Sequence, residues 1–291
     1  MNKRINIIDD CYTKFGLKHT SKSQNTIPDD IRFRNYLVMT PKEKMNQPKV
    51  SSFQGGTIVH EVVQKVLCHN AKLKDVVIEY QNKFVSFKGI DTKDSLKFNF
   101  ILQNLESIST NYLENIKAVK DKKWEDEKEY THWDEQGRIG TYFLAYVDLV
   151  GSKYFGDIKN VFGTLTKTKN GHSYSKKKCP VVPFHSDCLQ IALYNQLLPK
   201  HKPFLTYASD SDKVLFTEDN CNELQPNSIK KYYDELITYQ RCWEKKLQLA
   251  DGDLKTLALL VRPDFSEIRK GGFWWKGVDP DIVKRFRGYY E

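Results

Sequence analysis

Three charged residues in apolar surroundings could do chemistry here: Asp148, Asp157 and Lys159. They interrupt two apolar runs, Ile139–Val150 and Phe155–Val161, on either side of Gly151-Ser152-Lys153-Tyr154. Both runs are rich in β-branched and aromatic residues, so together they read as a β-hairpin. A buried unpaired charge is expensive. A core strand therefore carries one only with a partner, a metal or a task. Side chains alternate along a strand, which puts Asp157 and Lys159 on one face. A turn with an even number of residues, Ser152-Lys153 or Gly151–Tyr154, sets Asp148 opposite Asp157; an odd turn parts them. Opposed carboxylates repel unless a divalent cation lies between them, and oxygen donors suit Mg²⁺ or Mn²⁺. A cation, two carboxylates and a lysine could activate water against a phosphodiester. Spacing alone leaves a second reading level with this one: a half-exposed hairpin with a surface Asp–Lys pair.

Neighbouring motifs separate the two readings. The order Asp148, Asp157-Ile158-Lys159 on a hairpin resembles the core of the PD-(D/E)XK nuclease superfamily. Upstream, Gly56-Thr57-Ile58-Val59-His60 resembles the G-T-x-x-H helix of its RecB-like branch. Downstream, Gln190-Ile191-Ala192-Leu193-Tyr194 resembles that branch's Q-x-x-x-Y helix. Glu129 stands where these proteins often carry a glutamate opening the first strand. The agreement covers residues 53–198 and is similar to phage exonucleases and the mitochondrial genome maintenance exonuclease. Asn160 departs from the Thr or Ser that many relatives have after the lysine, which leaves the metal ligands untouched.

The resemblance implies an α/β fold with a restriction-endonuclease-like core. In it a central mixed β-sheet is flanked by helices, with helical or loop additions at both ends. It implies a Mg²⁺- or Mn²⁺-dependent DNA exonuclease, acting on single-stranded or end-processed DNA in replication or recombination. Asp148 and Asp157 would hold the metal with His60 and the backbone carbonyl of Ile158. Lys159 would orient the attacking water, and Gln190 and Tyr194 would brace the site. Glu129 is an additional candidate. Rival expectations are a structure-specific endonuclease of the same fold and a non-catalytic nucleic-acid-binding protein. A replication or single-strand-binding protein is a further expected partner.

The elements that must position these residues can be read in part. Val59, Val62, Val63, Val66 and Leu67 form a helical stripe over Thr57–Asn70, with His60 at its edge. Gly56 is expected to let this helix approach the sheet. Val76–Tyr80 and Phe84–Phe87 read as short strands, and Asp94–Lys120 as one helix. Lys120–Glu129 reads as a solvated segment anchored by Trp124. Tyr130–Trp133 starts a sheet that the hairpin continues, giving three antiparallel strands in succession. Thr164–Lys178 reads as a basic loop after the catalytic strand. Its Lys167, Lys169, Lys176, Lys177 and Lys178 are suited to neutralising a nucleic-acid backbone. Ser186 is an expected N-cap for Asp187–Leu198. Pro203–Ala208 and Lys213–Thr217 read as strands, and Ser228–Ala250 as a long helix. Ile31–Met39 fits a strand or a short helix, Thr40–Lys49 a loop, and the aromatics of 273–275 a closing core. The expected organisation is an N-terminal extension over 1–50, a nuclease core over 51–220 and a helical C-terminal extension of the same domain over 221–291.

Lys and Arg exceed Asp and Glu by 46 to 37, a net charge of +9. That surplus favours a polyanionic partner. No apolar run is long enough for a membrane span, and the N-terminal MNKRINIIDDC lacks a signal-peptide core. These features suggest a cytoplasmic protein, in the host cytoplasm if phage-encoded. The cysteines Cys11, Cys68, Cys179, Cys188, Cys221 and Cys242 form no C-x-x-C pair, and without a secretory signal they are expected to be reduced. Some RecB-like nucleases carry an iron–sulfur cluster on four cysteines. The tight C-terminal cysteine group it needs is missing here, so no such cluster is expected.

Overall fold

The computed structural model describes residues 7–48, 50–169 and 171–291. Met1–Asn6 of the N-terminal reading, Lys49 of the expected 40–49 loop and Asn170 of the expected 164–178 loop lie outside the described residues. The chain is mixed α/β and forms two compact units. The first gathers the described part of Met1–Pro48 with Thr131–Ala145 and Tyr232–Glu291. The second holds the described parts of Lys49–Tyr130 and Tyr146–Lys231. The described part of Met1–Pro48 and Tyr232–Glu291 group with each other and with 131–145. Asp148, Asp157 and Lys159 all lie in the second unit.

In the first unit, Tyr12, Phe33, Trp243, Leu247, Trp275 and Phe286 form the core. Buried Arg32 lies over the Trp243 ring at 4.4 Å and donates to Asn25 Oδ1 (3.0 Å) and Gln240 Oε1 (2.9 Å). Ile31–Met39 resolves as helix: Asp29–Phe33 runs on into a π-helical turn, Arg34–Val38. The expected loop from Thr40 contains a helix, Pro41–Met45, whose start is closed by reciprocal bonds between Thr40 and Glu43. Trp275 is buried in this core as expected, while Phe273 is exposed.

The second unit is built on a five-stranded sheet of β1 (Trp124–Glu125), β2 (Leu149–Gly151), β3 (Tyr154–Asn160), β4 (Lys202–Ala208) and β5 (Lys213–Thr217). The order follows the numbering, and every neighbouring pair is antiparallel except β3 and β4, which run parallel. The sheet is therefore mixed, as expected. Four helices precede β2: α1 (Ser51–His69), α2 (Leu73–Phe84), α3 (Thr92–Gln103) and α4 (Leu105–Ala118). Val59, Val62, Phe98, Ile101 and Tyr112 of these helices pack with Ile158 and Phe204 of the sheet. A fifth helix, α5 (His185–Leu197), packs on β3 and β4. Ile158 and Tyr154 pack with α1–α4, whereas Phe155 and Lys159 touch Tyr194 and Gln190 of α5. Alternation along β3 thus turns Asp157 and Lys159 together toward α5.

Several expectations are corrected. Ile139–Val150 is not one strand: Tyr142–Val147 ends before Asp148 and β2 starts after it. Tyr142–Val147 belongs with Lys128–Trp133 and His19–Thr20 in a separate three-stranded sheet, so the three successive strands do not share one sheet. The break frees the Asp148 carbonyl from the ladder, and Gln64 Nε2 donates to it at 2.9 Å. The strands expected within 76–87 are helix α2, because Leu73, Val76, Val77, Tyr80 and Phe84 recur at helical spacing. The helix expected over 94–120 breaks at Asn104 into α3 and α4. Helix α1 starts at Ser51, before the expected Thr57. Asp94 accepts from Ser51 N at 3.0 Å and from Ser51 Oγ at 2.7 Å, holding that start in place. Gly56 faces Asn160 of β3, while a Cβ on Gly55 would meet Ile101 of α3 at 2.9 Å. The 164–178 loop contains a two-stranded ribbon, Thr164–Thr168 with Gly171–Ser175. Ser186 lies inside α5, not at its cap. Trp124 meets Phe204 edge-on at 5.5 Å, the expected anchor.

The β2–β3 turn is Ser152-Lys153, with Val150 paired to Phe155 and Leu149 to Gly156. Asp121 holds it by accepting from Lys153 N (2.7 Å), Tyr154 N (3.0 Å) and Ser152 Oγ. Beside Asp157, Gly156 lies under the Phe204 ring; an added Cβ would meet ring atoms at 2.0–2.3 Å. Phe204 is fully buried and has nowhere to move. Gly156→Ala should cost about 1–3 kcal/mol by overpacking, and Phe204→Leu should recover part of that loss in the double variant. Urea unfolding of the four proteins checks this; additive losses would mean that the two residues do not compete for one space.

Candidate active site

The two-residue turn decides the geometry. Continuing the Leu149–Gly156 pairing by one step sets Asp148 opposite Asp157, the arrangement expected for an even turn. Because the strand breaks at Asp148, its side chain folds onto β3, where Oδ2 accepts from Ile158 N at 2.8 Å. Its carboxyl lies within hydrogen-bonding reach of Asp157. Asp157 is completely buried. Lys159 Nζ stands 2.7 Å from Asp157 Oδ2. Beyond Lys159 and the facing Asp148 carboxyl, neither carboxylate oxygen of Asp157 has a hydrogen-bond partner among the described residues.

Helix α5 fixes the lysine from the other side. Lys159 Nζ donates to Gln190 Oε1 at 3.0 Å. Gln190 Nε2 donates to the Tyr194 hydroxyl, which donates to the Tyr146 carbonyl. Gln190 and Tyr194, one turn apart on a shared face, therefore tie the ammonium to the backbone just before Asp148. On the sheet's other side, the buried Tyr112 hydroxyl donates to the Lys159 carbonyl at 2.6 Å.

His60 lies at the end of the site toward α1. Its Nε2 is 2.7 Å from the Ile158 carbonyl and its Nδ1 is 3.6 Å from Asp148 Oδ2. The two groups expected to bind metal beside the acids, the His60 ring and the Ile158 carbonyl, are thus bonded to each other. The His60 and Lys159 side chains keep 23% and 24% exposure, so the acids lie one layer below solvent. Glu129 is exposed and accepts from Tyr146 Oη at 2.6 Å. Glu127 is the acid on that strand approach whose charge acts on Asp148 and His60.

Sequence reasoning missed two further acids, Glu127 and Asp187. Asp187 is buried in the first turn of α5. Tyr207 Oη donates to Asp187 Oδ2 at 2.7 Å and accepts from Phe184 N at 3.1 Å. Tyr207 is the β4 residue paired with Lys159. Asp187 thereby pins the start of α5 beside the lysine, and its charge acts on both Asp157 and Lys159. An acid in a first helical turn usually complements the helix dipole, so the sequence carried no signal for this role.

The electrostatics follow from three carboxylates around one ammonium. Burial raises Asp157 most; Asp148 and Asp187 raise it further, Lys159 opposes them, and the result is about 7. Burial also raises Asp148. For Lys159, burial favours the neutral amine, but Asp157, Asp148 and Asp187 outweigh it and hold the ammonium above its ordinary value. Burial lowers His60, favouring a neutral ring.

Among the described residues, no three His, Cys, Asp or Glu side chains converge as a metal-binding group. The donors present are the opposed carboxylates of Asp148 and Asp157. They fit a hard cation such as Mg²⁺, which keeps several waters and takes one or two protein carboxylates. The fully buried Asp157 oxygens, which meet only Lys159 and the Asp148 carboxyl among the described residues, are the observation that carries this fit. The exposed lysines Lys167, Lys169, Lys176, Lys177 and Lys178 lie on or just after the ribbon that follows β3.

No protein-family model and no curated protein matches the chain. Among solved structures, "Crystal structure of SSO0001" aligns with 67% of this chain and 92% of that one, at 14% identity and a TM-score of 0.29. That score is too low to carry an argument. Among the described residues, no helix is long and apolar enough to cross a membrane.

Titration of Asp157 should be visible in stability. A carboxyl raised in the native state keeps its proton between its unfolded and native pKa values. Unfolding releases that proton, so stability falls as pH rises through the interval. The interval runs from roughly 4, the ordinary aspartate range, to about 7. In protein stripped of divalent cations, Tm should decline across it, and Asp157→Asn should reduce the decline. An equally steep decline in the variant would assign the titration to another group.

Proposed function

We propose that the chain is a metal-dependent nuclease that hydrolyses phosphodiester bonds of DNA from free ends. The observation that supports this most is the opposed pair Asp148 and Asp157, buried with Lys159 between them and α5. The resemblance of the 53–198 motifs adds the exonuclease reading and the restriction-endonuclease-like core. Mg²⁺ or Mn²⁺, held by Asp148 and Asp157, would supply charge neutralisation and an activated water.

The chain's own residues then divide the work. Lys159, kept protonated by its acids, cannot serve as a base; it donates, orienting a water and countering charge that develops on phosphate oxygens. Gln190 aims that ammonium. Tyr194, held far above its ordinary pKa by burial, stays neutral and positions Gln190. His60 stays neutral and holds the Ile158 carbonyl. The exposed lysines after β3 hold the DNA backbone. Single-stranded DNA or DNA with free ends is the proposed substrate in replication or recombination, with a single-strand-binding protein as a fitting partner. A cytoplasmic setting fits this reading.

Asp157→Ala and Lys159→Ala should each lower cleavage of labelled DNA by about 10²–10³-fold or more, the usual effect of deleting a preorganised electrostatic partner. Both should still bind DNA, and EDTA should silence the wild type. Linear single-stranded DNA should be degraded and a single-stranded circle spared. Cutting of the circle would replace the exonuclease with an endonuclease. Full activity of both variants would remove the assigned site.

A further inference from the structure

We infer that Lys97, with Lys93 and Lys177, forms a clamp for nucleic-acid backbone phosphates where α3 meets the Thr164–Ser175 ribbon. The inference rests on the nucleic-acid reading above and adds a contact surface outside the carboxylate site.

The ribbon is fastened to α3. Its first strand packs on the helix, and Tyr174 stacks on Phe100 with ring centroids 3.4 Å apart and planes 21° apart. Tyr174 Oη also accepts from Gly163 N at 2.6 Å. At Gly163 a Cβ would meet the Ser175 carbonyl at 1.9 Å, so only glycine lets the base of the ribbon close this tightly. Lys97 precedes Phe100 by three residues and follows Lys93 by four, which puts all three on one face of α3. Lys177 follows Tyr174 by three residues on the ribbon side. The stack therefore draws the two lysine-bearing segments together.

Lys97 is half-buried, and its ammonium donates to a hydroxyl, Ser52 Oγ, at 2.8 Å. The nearby carboxylate of Asp94 is already engaged by Ser51 N, Ser51 Oγ and Ile90 N. Burial, Lys177 and Lys93 push the Lys97 ammonium down, against the pull of Asp94. Like charges gathered this way are relieved by an anion that bridges them. Lysine is a compact point charge without the fork that reads base edges. The exposed Lys167, Lys169, Lys176 and Lys178 extend the cluster along the ribbon and its C-terminal end, as a linear polyanion requires. The clamp would hold backbone regardless of sequence.

Anisotropy of a fluorescent oligo(dT) in EDTA, titrated from about 50 to 200 mM salt, tests this without cleavage. Each of Lys97→Gln and Lys177→Gln should reduce the slope of log K against log[salt] by about 0.7, one phosphate contact on a single strand. Lys97→Arg should keep the wild-type slope, and thermal unfolding should find the variants folded. A wild-type slope in folded Lys97→Gln would overturn the clamp while leaving the nuclease reading intact. Failure of the wild type to bind oligo(dT) would overturn the clamp, while cleavage of duplex ends would keep the nuclease reading. Loss of binding to phosphatidylserine vesicles, with the DNA slope unchanged, would assign the lysines to a membrane surface and overturn the inference.

Discussion

The second unit depends on an unbalanced charge: buried Asp148, Asp157 and Asp187 act on one ammonium, that of Lys159. Removing a carboxylate from water costs several kcal/mol, and an ion pair repays this only with good geometry and satisfied lone pairs. Asp148 is repaid by Ile158 N, and Asp187 by Tyr207. Among the described residues, Asp157 has only the lysine and the facing Asp148 carboxyl, with no backbone donor. Burial and the charges of Asp148 and Asp187 hold its pKa up against the pull of Lys159. Hydrophobic residues of similar volume would serve a purely structural core at least as well. In the nuclease reading proposed above, a cation would supply the missing partner.

Much of the surrounding fold serves to keep this costly arrangement in register. Asp121 fixes a two-residue turn, the turn fixes the parity, and the parity sets Asp148 against Asp157. Gly156 admits the Phe204 ring on one face while Asp157 points to the other. Helix α5 is held beside the lysine twice, through Asp187 to Tyr207 and through Gln190 and Tyr194 to the Tyr146 carbonyl. These ties run through strands and helices rather than loops, which makes the position of Lys159 precise.

What could be read in the sequence was what is local and periodic. Alternation along β3 gave Asp157 and Lys159 on one face, leaving only the parity of the turn open, and helical spacing gave α5 with Gln190 and Tyr194 together. Residues 73–87 misled because Val, Tyr and Phe favour strands intrinsically, while their spacing favours a helix, and the spacing prevailed. The break at Asp148 was hidden because a continuous apolar run gives no sign of where a strand leaves one sheet for another. Asp187 and Lys97 were hidden for a different reason. Each matters through a partner distant in sequence, Tyr207 or the ribbon, and alone looks like an ordinary surface charge on a helix.

The same charge imbalance gives the lysine-rich ribbon its physical sense. A site with more carboxylates than ammonium groups repels a phosphodiester, so approach cannot be driven by the site itself. In the proposed nuclease, attraction would come from the lysines of the ribbon that follows β3, screened by salt over a Debye length of roughly 8–10 Å. A floppy lysine loop could collapse onto the carboxylates and cancel them. A ribbon pinned by Tyr174 on Phe100 cannot do so freely. In the proposed nuclease, fixing the basic segment to α3 would keep the two charge populations apart, leaving the acids for a metal ion and the lysines for a polyanion.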